Sequence, residues 1–185
     1  MLSQQDGKLL LELARKSIES YFSKKDLDLD KYRKFSTKQG VFVTLNEHGE
    51  LRGCIGFPYP TFELYKAVFD AARAAAFDDP RFPQLKKEEL KDLEIEISVL
   101  TVPEDMKVKS PEEYVKKIKI GEDGLIMKSG WTSGLLLPQV FTEYKSTPIQ
   151  ALEMTCQKAG LPNDAWKDKS VNVMKFQAQI FKEKR

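Results

Sequence analysis

Five consecutive residues, Arg52-Gly53-Cys54-Ile55-Gly56, bring together a cation, a thiol and two glycines. A cysteine reacts as its thiolate, and a neighbouring guanidinium favours that form. The stretch reads as a strand, whose side chains alternate faces, so Arg52, Cys54 and Gly56 are expected on one side. Leu51, Gly53, Ile55 and Phe57 would share the other. Gly56 would leave a side-chain-sized gap beside the sulfur, and Gly53 would let a neighbour approach closely from behind. Arginine, thiol and gap together would make a small anion-accepting pocket. A plainer reading stands beside it: free cysteine is among the most buried residue types, and glycines also mark bulges or tight packing. The residues alone leave both open.

His48 is the only histidine and the obvious base for Cys54. Geometry argues against the pairing. Residues 41–46 and 51–57 flank Glu47-His48-Gly49-Glu50 as the arms of a β-hairpin, with Gly49 able to take a positive φ. If His48-Gly49 is the tip, Glu47 faces Glu50 and an unbroken register sets Val43 opposite Cys54. His48 and Cys54 are then about 20 Å apart along the strand, beyond hydrogen-bond reach. His48 reads as an exposed turn residue. Cys156, among apolar neighbours in a helical stretch, reads as core.

Other elements must position this strand. Ser3 and Asp6 form a capping box before a helix whose Leu10, Leu13, Ala14, Ile18 and Tyr21 share a face. Residues 24–34 read as loop. A second, alanine-rich helix is expected from Thr61 to about Phe77, stopped by the Asp-Asp-Pro-Arg-Phe-Pro stretch at 78–83. Residues 93–100 alternate as a half-buried strand. Ser110-Pro111-Glu112-Glu113 starts a short helix. Strands near 124–128 and 132–137 pair around Gly130, and a helix runs from Thr147-Pro148 to Gly160. Met174, Phe176, Ala178 and Ile180 would line the apolar face of a C-terminal strand. The class expected is α+β with a largely antiparallel sheet flanked by helices.

Composition sets the outer bounds. The chain has 185 residues, enough for one domain with a real core. Its 30 basic and 28 acidic residues leave a net charge of +2, with no excess to neutralise nucleic-acid phosphates. The basic stretches 116–119 and 182–185 read as solvated surface. No run approaches the roughly 18 apolar residues that span a bilayer. The N-terminus has no basic leader and its leucines recur with helical period, so it reads as helix rather than signal peptide. Two well-separated cysteines suit a reducing compartment, and the expected location is the cytoplasm. No phosphate loop, dinucleotide fingerprint, serine-hydrolase elbow or zinc spacing occurs. A site made of carboxylates alone cannot be located among so many acids, and no metal ligand or cofactor is assigned.

The hexapeptide Leu51-Arg52-Gly53-Cys54-Ile55-Gly56 resembles the signature of the AMMECR-one family. The likeness continues through 40–45, 79–82, 96–101, 120–127, 134–140 and 156–166, in family order over nearly the whole chain. It implies a two-lobed α+β fold forming one domain over 1–185, with a smaller lobe near 104–140 and the hexapeptide strand beside a cleft. It also implies a functional site of Arg52, Gly53, Cys54 and Gly56, joined by Asp79 and Arg81 from the Asp-Pro-Arg-Phe block and by Glu143. Relatives often carry Trp-Asp just after that glutamate. Here the region reads Glu143-Tyr144-Lys145-Ser146-Thr147, which puts an aspartate role there in doubt. Memo-type and radical-SAM proteins are the partners the resemblance implies.

Two functions follow as expectations. In the first, Cys54 is a nucleophile or redox thiol activated by Arg52 and acting on a small anionic substrate. Arg81 adds a second cation, and Asp79 or Glu143 handles protons. In the second, the same residues bind a small ligand, peptide or nucleotide without covalent chemistry.

Overall fold

The capping box at Ser3 forms as its sequence requires. In a computed structural model describing residues 2–183, the Asp6 N–H donates to the Ser3 hydroxyl and the Ser3 N–H donates to the Asp6 carboxylate. Residues 184 and 185 of the C-terminal basic stretch lie outside the described residues. Helix α1 (Gln4–Ser23) follows, with Leu10, Leu13, Ala14 and Ile18 fully buried. Tyr21 departs from the expected face: it is about half exposed and stacks on Phe77 at 3.8 Å. The loop expected over 24–34 is also corrected. A 3-10 helix at Asp30–Phe35 turns Tyr32 and Phe35, three apart and therefore on one side, into the core.

Packing divides the chain into two compact units, residues 1–100 with 179–185, and residues 101–178. In the first unit, β1 (Val41–Glu47), β2 (Glu50–Phe57) and β3 (Leu93–Leu100) pair antiparallel in the order β2-β1-β3. Residues 179–182 of the last strand, β7 (Asn172–Lys182), also belong to it. Val41, Val43 and Leu45 on β1 and Leu93, Ile95, Ile97 and Val99 on β3 alternate into a core shared with α1 and α2 (Leu64–Phe77). Thr44 and Glu96 therefore face the other way. Helix α2 presents Ala67, Ala71, Ala72 and Ala75, small enough for its backbone to come close to the strands. It starts later than expected, at Leu64, where the Leu64 N–H donates to the Thr37 carbonyl.

In the second unit, β5 (Asp123–Ser129) lies between β6 (Thr132–Leu136) and residues 172–177 of β7, and β4 (Glu104–Asp105) pairs with β7. Helix α3 (Glu112–Lys117) follows the Ser-Pro-Glu-Glu start. A short helix not foreseen, α4 (Pro138–Glu143), precedes α5 (Pro148–Lys158). Leu125, Met127, Phe141, Leu152, Cys156, Trp166 and Val173 form this unit's core. On β7 the expected alternation fails at its end, because Ile180 is about half exposed and Phe181 is buried in the first unit's core. The class is α+β, and every strand pairing described is antiparallel. No helix among the described residues is long and apolar enough to cross a membrane.

Candidate functional site

The hairpin tip is as read: Glu47 pairs with Glu50, and His48 and Gly49 take φ of 52° and 84°. The register then slips. Asn46 pairs with Leu51 but Leu45 pairs with Gly53, so Arg52 is the extra residue of a β-bulge. Thr44 rather than Val43 stands opposite Cys54. One inserted residue breaks the alternation that would have set Arg52 beside the thiol. The Arg52 guanidinium is buried and turns to Glu89, in the 3-10 helix Lys87–Lys91, with Nε donating to Oε1 at 2.7 Å. That contact, first among its causes, lowers the Glu89 carboxyl below its usual range. Arg52 is therefore occupied by a carboxylate and does not activate Cys54.

The glycines are explained by packing. A Cβ on Gly53 would sit 2.1 Å from the Ala75 carbonyl oxygen, so α2 rests on β2 through the missing side chain. A Cβ on Gly56 would meet the Phe42 ring at 2.5 Å and the Val41 carbonyl oxygen at 2.3 Å. The gap expected beside the sulfur is filled by Phe42, the residue directly opposite.

Asp79 and Arg81 do converge on Cys54. Because β2 is the outer strand of its group, the Cys54 peptide groups face an open edge. Asp79 Oδ2 accepts from the Cys54 N–H at 2.9 Å, and Arg81 Nη2 donates to the Cys54 carbonyl oxygen at 3.3 Å. Arg81 Nε and Nη2 also grip the two oxygens of Asp79 at 2.9 and 2.7 Å. The pair thus closes both backbone groups of the cysteine. Asp79 is 2% exposed at its side chain and Arg81 53%. Arg81, helped by the two backbone N–H donors, outweighs burial and holds the Asp79 carboxyl down at about 2.

The thiol itself is half-buried, and its surroundings on balance keep it neutral. Burial is the largest influence and pushes the Cys54 thiol up; the Asp79 and Glu96 carboxylates push the same way. The Thr44 hydroxyl, 3.3 Å from the sulfur, and the Arg81 charge oppose them without prevailing. Across the strands Cys54 pairs with Thr44, and Thr44 with Glu96, so a thiol, a hydroxyl and a carboxylate form a row on the face away from the helices. Lys182 pairs with Glu96 at 2.8 Å.

Glu143 ends α4 in the second unit and is exposed. In that unit Asp123, from the Gly121-Glu122-Asp123-Gly124 turn, is buried and bonded to Lys175 at 3.2 Å, which gives that block a structural role. Cys156 is buried as expected. Thr44, Glu89 and Glu96 were not found from the sequence, since only pairing across strands and a turn brings them to Arg52 and Cys54. Among the described residues, donors that could hold a metal ion gather at the hairpin tip, as Glu47, His48 and Asp92.

The sequence profile of the AMMECR1 family matches residues 11–181. A protein of Methanothermobacter thermautotrophicus is 49% identical over 185 residues, covering 98% of this chain and 96% of the relative. A Methanocaldococcus jannaschii protein is 45% identical over 99% of this chain and 92% of its own length. The crystal structure of an uncharacterized protein from Pyrococcus horikoshii superposes with a TM-score of 0.93 at 46% identity, covering 99% of this chain and 94% of that one. The resemblance carried by the hexapeptide and its companion blocks is thereby a membership: the chain belongs to the AMMECR1 family.

Proposed function

We propose that the Cys54 face of β2 is a non-covalent binding site for a small ligand bearing a carboxylate or phosphate group. The observation that carries this reading is the state of Arg81. Its Nε and Nη2 are fixed by Asp79 and by the Cys54 carbonyl, and the guanidinium remains half exposed with Nη1 unbonded among the described residues. A cation held this way loses little rotamer freedom when it meets an anion. The neutral thiol and the Thr44 hydroxyl beside it supply hydrogen bonding without a nucleophile. The enzymatic alternative needs a thiolate, and burial with two carboxylates opposes one. Memo-type and radical-SAM proteins stay proposed partners on the resemblance alone.

The test uses the intact chain and a panel of inorganic phosphate, succinate and simple phosphate monoesters, read by amide chemical shifts. We expect saturable shifts at Cys54, Ile55 and Arg81. Affinity should fall at least about tenfold in Arg81→Gln and stay within about twofold in Cys54→Ser. Equal affinity in Arg81→Gln, or binding that disappears with Cys54→Ser, overturns the reading.

A further inference from the structure

The three metal-binding donors at the hairpin tip come from two separate stretches of chain. Glu47 ends β1 and His48 opens the turn; Asp92 follows the 3-10 helix Lys87–Lys91 and leads into β3. Pairing of Glu47 with Leu93 brings the two stretches side by side. One ligand atom from each of Glu47, His48 and Asp92 lies within 4.8 Å of the others.

Neither the Glu47 nor the His48 side chain has a hydrogen-bond or ion-pair partner among the described residues. The Asp92 carboxylate has one ion pair among the described residues, to Lys91 at 3.9 Å and 79% exposed, a contact too long and too wet to offset two adjacent carboxylates. Like charges held this close repel, and a divalent cation between them removes that cost. One imidazole nitrogen with two carboxylate oxygens is a donor set for zinc and its first-row neighbours, whereas calcium and magnesium prefer oxygen alone. Tetrahedral coordination at about 2.0–2.2 Å needs ligand atoms roughly 3.3–3.6 Å apart, so a closure of at most about 1.5 Å would suffice, within reach of the rotatable glutamate.

We propose that the β1–β2 hairpin tip binds a divalent transition-metal ion, Zn²⁺ being the probe of choice, through Glu47, His48 and Asp92 with water completing the shell. The bound ion ties the hairpin tip to the start of β3. This site is separate from the Cys54 face and stands whether or not that face binds anions.

The experiment is calorimetric titration of chelator-treated full-length protein with Zn²⁺, repeated with Co²⁺ for its absorption spectrum. We expect one equivalent at micromolar affinity, a Co²⁺ spectrum without a thiolate band, and a rise in melting temperature with Zn²⁺. His48→Gly keeps a residue that accepts the left-handed turn and should weaken binding at least about tenfold, as should Asp92→Asn. The double variant Cys54→Ser/Cys156→Ser should bind as the parent does. Absence of binding at about 1 mM Zn²⁺, undiminished binding in His48→Gly, or loss in the cysteine double variant overturns the proposal.

Discussion

At the scale of single residues, Cys54 shows how little a residue's type says about its chemistry. A thiolate forms where cations and polar donors outweigh burial. Here the thiol is half-buried, feels the Asp79 and Glu96 carboxylates and shares one weak contact with Thr44, and the Arg81 cation acting on it is already bound to Asp79. We therefore expect slow alkylation of Cys54 in the native protein at pH 7.5, at least about tenfold below a free cysteine, with an apparent pKa above the ordinary thiol range. Iodoacetamide labelling against pH, with the modified peptide identified by mass spectrometry, checks this. Fast labelling with an apparent pKa below about 8.5 would restore the nucleophile. Arg81→Gln should slow labelling further by removing a charge that favours the thiolate, whereas Arg52 is turned away from the sulfur and bound to Glu89 instead.

At the scale of elements, the decisive contact is that of α2 with β2. The helix approaches until the Ala75 carbonyl oxygen occupies the place of a side chain at position 53. Gly53→Ala must displace backbone on one side or the other, and overpacking of this kind costs about 1–3 kcal/mol. Gly49→Ala makes a useful contrast. Its Cβ would meet nothing within 4 Å, but its φ of 84° is one that alanine adopts at a cost of about 1–2 kcal/mol. Thermal denaturation should rank Gly53→Ala as the more damaging, with a melting point lowered by about 2–10 °C. A smaller loss at Gly53 than at Gly49 would mean that α2 can slide on the strand.

At the scale of the whole molecule, ion pairs set the acid limit of stability. Asp79, Glu12, Glu63 and Glu89 all titrate below their ordinary values in the folded chain, each led by a bond to a basic side chain. A carboxyl with a lowered folded pKa stabilises the fold above its unfolded value, here 3.8 for Asp and 4.5 for Glu, and the gain is lost as pH falls through the folded value. Asp70, raised by burial, works in the opposite sense. The two thiols are raised as well, so their contribution is whole below 9.0 and is lost on further rise in pH. Melting temperature against pH should therefore form a plateau from about pH 5 to 8 and fall on both sides. Asp79→Asn should cost about 1–2 kcal/mol at pH 7, a figure reduced for the half-exposed Arg81, and the gap from the parent should close as pH nears 2. A gap unchanged down to pH 2 would assign the loss to packing.

What the sequence determined by itself was local and periodic. The Ser3 and Thr147 caps, the turn at His48-Gly49, the hairpin around Gly130 and the alternation of β3 rest on residues a few positions apart, where backbone sterics and one hydrogen bond decide the outcome. The block order over the chain likewise carried the family. Only the tertiary structure decided where Arg52 points, because one bulged residue reverses the expected side and no local pattern announces it. It alone brought Glu89 to Arg52, Asp79 and Arg81 to the Cys54 backbone, Thr44 to the thiol, and Asp92 to His48. Those partners lie on different strands and turns, and long-range packing and pairing, which depend on the fold as a whole, bring them within reach of one another.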